Sequence, residues 1–99
     1  MSSKNKIKEL RDKINFLDDE IIKILEERFL ISKKIGEIKF NSQSKVLDAK
    51  REREIVDRLN TNTKIISKES LGLIYQNIFK VSREIQSLKN KFGNSIKND

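Results

Sequence analysis

Eight polar residues on otherwise apolar helical patterns mark where chemistry is possible in this sequence. Arg28 stands between Ile24 and Ile31 in a row of apolar residues spaced three and four apart. A buried guanidinium must be paired or must face a polar cavity. Lys39 follows eleven residues later. Eleven steps of about 100° return to within about 20° of the start, so the two cations share one helix face roughly 16 Å apart. Arg11 stands one step off the same row near its other end. A second helix carries an apolar stripe of Leu59 and Ile55 that continues toward its start as Glu52, Arg51 and Asp48. On a third, the stripe Tyr75, Phe79, Ser82, Gln86 sets Ser82 and Gln86 one turn apart beside the core.

Each position has a plain structural alternative. Arg28 could fix the register of a coiled coil. Asp48 could be an N-cap and Glu52 a first-turn acid. Ser82 and Gln86 could bond to a neighbouring helix. Three helices that turn polar on their inward faces together favour a site over three coincidences. The residue types describe a water-poor pocket rich in Arg and Lys, with neutral donors and two carboxylates. Inward cations suit a small dianion, because Arg grips carboxylates bidentately. The sequence contains 0 His and 0 Cys, and it has no Gly-rich phosphate loop, so nucleophilic and redox mechanisms are poorly supported. Catalysis by conformational restriction and by stabilising charge that develops in a transition state fits this inventory. The residues by themselves lead to that class and no further.

The elements that must position these groups are helices, with no strand pattern. Apolar residues recur at Ile7, Leu10, Ile14, Leu17, Ile21, Ile24, Ile31, Ile35 and Ile38, which predicts one helix over about residues 4–39. Only Gly36 opposes it, and a lone glycine is tolerated. Such a rod is about 54 Å long, whereas a compact domain of this size is about 30–35 Å across. The rest of the chain cannot cover it, so a second copy should, with an antiparallel two-fold dimer as the default. In that arrangement Arg11 would reach the cavity opened by Arg28 and Lys39 of the other copy. After a break over residues 40–47, a second helix is expected at about 48–60, with Ile55, Val56 and Leu59 buried. A third is expected at about 67–92, opened by Ser67 as N-cap with Glu69 in its first turn. Its apolar rhythm is Leu71, Ile74, Ile78, Val81, Ile85, Leu88 and Phe92, and residues 93–99 should fray. The expected fold is all-α: a three-helix subunit with one very long N-terminal helix, in a dimeric helical bundle.

Composition agrees with this reading. A chain of 99 residues fits a single domain over 1–99. Charged residues reach 37%, and the balance of 22 basic and 15 acidic residues gives a net charge of +7. That suits an anionic partner, although on composition alone a solubilising surface is the better account of it. One Tyr, no Trp and no basic block interleaved with aromatics argue against a nucleic-acid partner. No apolar run approaches a membrane span, and the N-terminus lacks the apolar core of a signal peptide. A soluble, cytoplasmic protein without a membrane partner is expected.

One family unites these features. Arg11, the stretch LEERFLISKKIGEIK with Arg28 and Lys39, VLDAKRE with Asp48, Arg51 and Glu52, and finally Ser82 and Gln86 closely resemble the all-helical (type II) chorismate mutases. In spacing they are most similar to the mutase domain of bifunctional chorismate mutase–prephenate dehydratases. The resemblance runs from about Ile7 to Leu88, and V-x-D-x-x-R-E after a long helix ending in G-x-x-K is its specific part. It implies an intertwined homodimer with two shared active sites, no cofactor, and rearrangement of chorismate to prephenate in phenylalanine and tyrosine biosynthesis.

The resemblance also implies roles. Arg28 would bind one substrate carboxylate and Arg11 of the partner subunit the other. Lys39 would contact a carboxylate and the ether oxygen whose bond to carbon breaks, and Gln86 would donate to that oxygen. Ser82 would assist a carboxylate, Asp48 (through its backbone) and Glu52 would position the ring hydroxyl, and Arg51 would support the carboxylate end. Two positions depart from the family: Lys45 stands where many relatives have Pro, and Lys50 where an acid is common. A dehydratase or dehydrogenase is expected on another chain or beyond this sequence. The alternatives are an isochorismate pyruvate lyase of salicylate synthesis, and a non-catalytic helical dimer with a regulatory or nucleic-acid-binding role.

Overall fold

A computed structural model of the protein describes the backbone over residues 2–97 and the side chains over residues 2–87. Its elements are three helices in the order α1 (Ser3–Asn41), α2 (Ala49–Asn60) and α3 (Lys68–Lys97), with no strand among the described residues. The chain divides into two compact units, Met1–Leu30 and Ile31–Asp99.

Local chemistry explains where each helix starts and stops. Gln43 closes α1 in the left-handed conformation at φ 57°. Around it the Ser44 N–H donates to the Lys39 carbonyl at 2.8 Å and the Gln43 N–H to the Phe40 carbonyl at 3.2 Å. This pair of bonds is the Schellman closure, usually built on glycine. Asp48 caps α2, its Oδ1 accepting from the Arg51 N–H at 3.0 Å. Ser67 caps α3 in the same way, its Oγ accepting from the Ser70 N–H at 3.1 Å, with Glu69 in the first turn. The third helix runs on through Lys97 rather than ending near residue 92. Residues 90–97 contain no proline, and a lone glycine such as Gly93 does not stop a helix. Of the tail expected to fray, residues 98 and 99 lie outside the described residues.

In the unit Met1–Leu30 the apolar row of α1 is exposed from Ile7 to Ile24. In the unit Ile31–Asp99 the row continues as exposed Ile31, Ile35 and Ile38, whereas Ser32 and Gly36 beside it are buried. Among the described residues the buried apolar side chains are Ile55, Leu71 and Phe79. Val56 and Leu59, expected beside Ile55 in the core, are half-buried. On α3 the inward face takes in Leu71 of the apolar rhythm together with the Tyr75, Phe79, Ser82, Gln86 stripe, with the two rings 5.5 Å apart. Ile74 and Val81 of the more apolar rhythm are exposed, and Leu88 and Phe92 lie outside the described side chains. The physical reason is on α1, where small residues at 32 and 36 let α3 approach closely along the polar stripe. No helix among the described residues is long and apolar enough to cross a membrane.

Candidate active site

The site residues of Ile31–Asp99 are assembled by one helix contact and two ties. The contact is between α1 and α3. Ser32 Oγ and Ser82 Oγ share a buried hydrogen bond of 2.9 Å. One turn on, a Cβ at Gly36 would lie 2.6 Å from Gln86 Cα and 2.7 Å from its carbonyl oxygen. Residues 32 and 36 thus meet 82 and 86 in the same order, so the two helices run in the same direction through the contact. Real Cβ atoms do not approach backbone this closely, so only glycine permits it. Lys39, three residues beyond Gly36, occupies the same face of α1.

The first tie orients Lys39. Its Nζ donates to the Val46 carbonyl at 3.1 Å, while its own carbonyl takes part in the helix closure at Ser44. The half-buried ammonium is therefore fixed at both ends of its residue, at the negative end of the helix dipole. The second tie joins α2 to α3. The Glu52 carboxylate pairs through Oε2 with Arg83 Nη1, the two side chains being 24% and 33% exposed.

Gln86 carries a further signal. Its Oε1 is buried and has no hydrogen-bond partner among the described residues. An orphaned buried acceptor costs roughly 1–3 kcal/mol, and turning the amide over exchanges that oxygen for the Nε2 donor.

The remaining expected residues are placed as follows. Asp48 is exposed and serves α2 through its side chain as N-cap, and Arg51 is exposed on the first turn. The structural alternative for Asp48 is thus realised. In Met1–Leu30, Arg28 is half-buried and Arg11 is exposed beside Lys8 and Asp12. Among the described residues no group of three or more His, Cys, Asp or Glu could hold a metal ion.

Sequence reasoning missed Ser32 and Arg83. Both carried a signal in their spacing. Ser32 and Gly36 fill the steps between Arg28 and Lys39 at intervals of four, four and three, and Arg83 follows Phe79 by four and precedes Gln86 by three.

Comparison with known proteins places this geometry. Residues 10–87 match the profile of the family described as chorismate mutase type II. The chain is 36% identical over 77 residues to a bifunctional chorismate mutase/prephenate dehydratase of Aquifex aeolicus, covering 73% of this chain and 21% of that one. It is 38% identical over 61 residues to the enzyme of the same description from Escherichia coli K12, covering 62% and 16%. The chain thus spans about a fifth of the length of these curated relatives or less. Among solved structures, a chorismate mutase from Helicobacter pylori in complex with prephenate superposes with a TM-score of 0.81 at 35% identity, covering 88% of this chain and 96% of that one. A conserved hypothetical protein from Pyrococcus furiosus superposes with a TM-score of 0.67 at 30% identity, covering 87% and 99%. The profile spans most of the sequence and takes in all eight of the polar residues from Arg11 to Gln86: this chain belongs to the type II chorismate mutase family.

Proposed function

We propose that the chain rearranges chorismate to prephenate in the cytoplasm, without a cofactor, as a homodimer with two shared sites, in the biosynthesis of phenylalanine and tyrosine. The observation that carries this reading is the buried Gln86 amide oxygen without a partner among the described residues, on a residue whose backbone lies against Gly36, one turn from Lys39. The reaction breaks one ether C–O bond and forms one C–C bond in a single cyclic shift, with no proton or electron exchanged. What the protein must supply is a folded substrate and relief for negative charge that grows on the ether oxygen. Lys39 and the Gln86 Nε2 donor serve that oxygen. Arg28 and Arg11 of the partner subunit hold the two carboxylates, with Ser82 and Arg51 in support. Glu52 and the Asp48 backbone hold the ring hydroxyl.

The exposed apolar row on α1 supports the dimer. Three buried apolar side chains among the described residues are few against the conformational entropy of a chain this long, and the row from Ile7 to Ile38 is the surface a second copy would cover.

The test is the ultraviolet decay of chorismate with purified protein and chromatographic identification of the product. Prephenate is expected, at a rate that falls about 10²–10³-fold in Lys39→Ala, the loss typical of a removed charge-stabilising donor. Pyruvate and salicylate from isochorismate, or no turnover by a folded protein, would overturn the reading.

A further inference from the structure

Arg83 is paired with Glu52 across the gap between α2 and α3, and nothing in the roles above uses it. It follows Ser82 directly and precedes Gln86 by one turn, so it projects from the same part of α3 as two residues assigned to the substrate. Instead of adding a free cation to the site, it is committed to the one carboxylate assigned to the ring hydroxyl. The two residues also line a groove of about 430 Å³ between α2 and α3, together with Val56 and Phe79.

Glu52 presents a problem that this pairing solves. A carboxylate accepts a hydrogen bond from a hydroxyl well, but its charge repels a dianion. It also rotates freely about its last bond unless something fixes its plane. A guanidinium answers both difficulties, because it cancels the charge at contact distance and its planar fork fixes the carboxylate plane. Arg83 holds Oε2, which leaves Oε1 as the acceptor for the hydroxyl. A tie that served only to join α2 to α3 would have no need of a group with that assignment.

We propose that Arg83 is the positioning residue for Glu52: it holds the carboxylate in the orientation that accepts from the substrate's ring hydroxyl and removes its repulsion toward a dianion. This rests on the mutase reading above, and it concerns recognition of the hydroxyl rather than the bond that breaks.

The experiment compares chorismate with an analogue methylated on the ring hydroxyl, in wild type, Arg83→Met, Arg83→Lys, Glu52→Gln and the Arg83→Met/Glu52→Gln double variant, with helicity checked by circular dichroism. In Arg83→Met the kcat/KM for chorismate is expected to fall about tenfold, the scale of a lost hydrogen bond to a charged group, chiefly through KM. The preference over the methylated analogue should shrink by the same factor, and Arg83→Lys should recover most of both. On the Glu52→Gln background Arg83→Met should add less than about a twofold change, as expected for coupled residues. Should Arg83→Met fail to fold, Arg83→Gln carries the same comparison. An active wild type whose Arg83 variants keep full discrimination overturns the positioning role alone, as do losses that multiply in the double variant. A wild type that makes no prephenate overturns the mutase reading, and this inference falls with it.

Discussion

Gly36 lies directly against the backbone of Gln86, so close that a Cβ at residue 36 would stand 2.6 Å from Gln86 Cα. Two effects of Gly36→Ala oppose each other. Alanine favours the helix by about 1 kcal/mol, but the atoms it would strike belong to the backbone and to Cβ and cannot rotate away. Overpacking of this kind costs about 1–3 kcal/mol. We expect lower thermal stability and a loss of about 10²-fold in kcat, since a displacement near 1 Å is enough for that. Calorimetry and chorismate decay check both.

Gln86 makes the pH dependence simple to predict. An amide donates a hydrogen bond without any titratable proton, and the sequence contains no His or Cys, the side chains that most often titrate near neutrality. Turnover should change by less than about twofold between pH 6 and 8. In Gln86→Glu the donor exists only while the carboxyl is protonated, so activity should be low at neutral pH and rise as the solution is made acid. A rate profile from pH 4.5 to 8 on both proteins tests the assignment, and an unchanged profile in the variant refutes it.

The proposed sharing of sites between two subunits makes a numerical prediction. Arg11→Ala and Lys39→Ala homodimers should each be nearly inactive, because every site lacks one residue. After unfolding and refolding an equal mixture, half the dimers are mixed, and each of those holds one complete site. Roughly a quarter of wild-type activity should return. No recovery would place Arg11 and Lys39 of one site on the same chain.

The closure of α1 stores a small strain. Gln43 occupies the left-handed region at φ 57°, where a side chain costs about 1–2 kcal/mol relative to glycine. The extra freedom of glycine in the unfolded chain offsets part of that. Gln43→Gly is expected to raise the melting temperature by a few degrees and to leave kcat within about twofold, because the Lys39 to Val46 tie does not involve the Gln43 side chain.

The three helices were legible because each is long or well capped. The nine-residue apolar row of α1, Asp48 before α2 and Ser67 before α3 are local signals, and local signals survive in a sequence. Arg28, Lys39, Ser82 and Gln86 stood out because each interrupts such a pattern. Ser32 and Arg83 did not, since a small hydroxyl and a surface-type cation interrupt nothing until their partners fifty and thirty-one residues away are known. The close approach of α3 to α1 was not legible, since it is decided by the missing side chain of Gly36 on another helix.

The constant offset of fifty between Ser32 and Ser82, and between Gly36 and Gln86, also sets an order of events during synthesis. At about 5–20 residues per second, the second half of α1 leaves the ribosome several seconds before the part of α3 that completes it. Throughout that interval Ser32 and Gly36 have only their own helix for company. A nascent chain halted before residue 82 would carry α1 and α2 in full, with the start of α3, and have neither of the contacts that align the site.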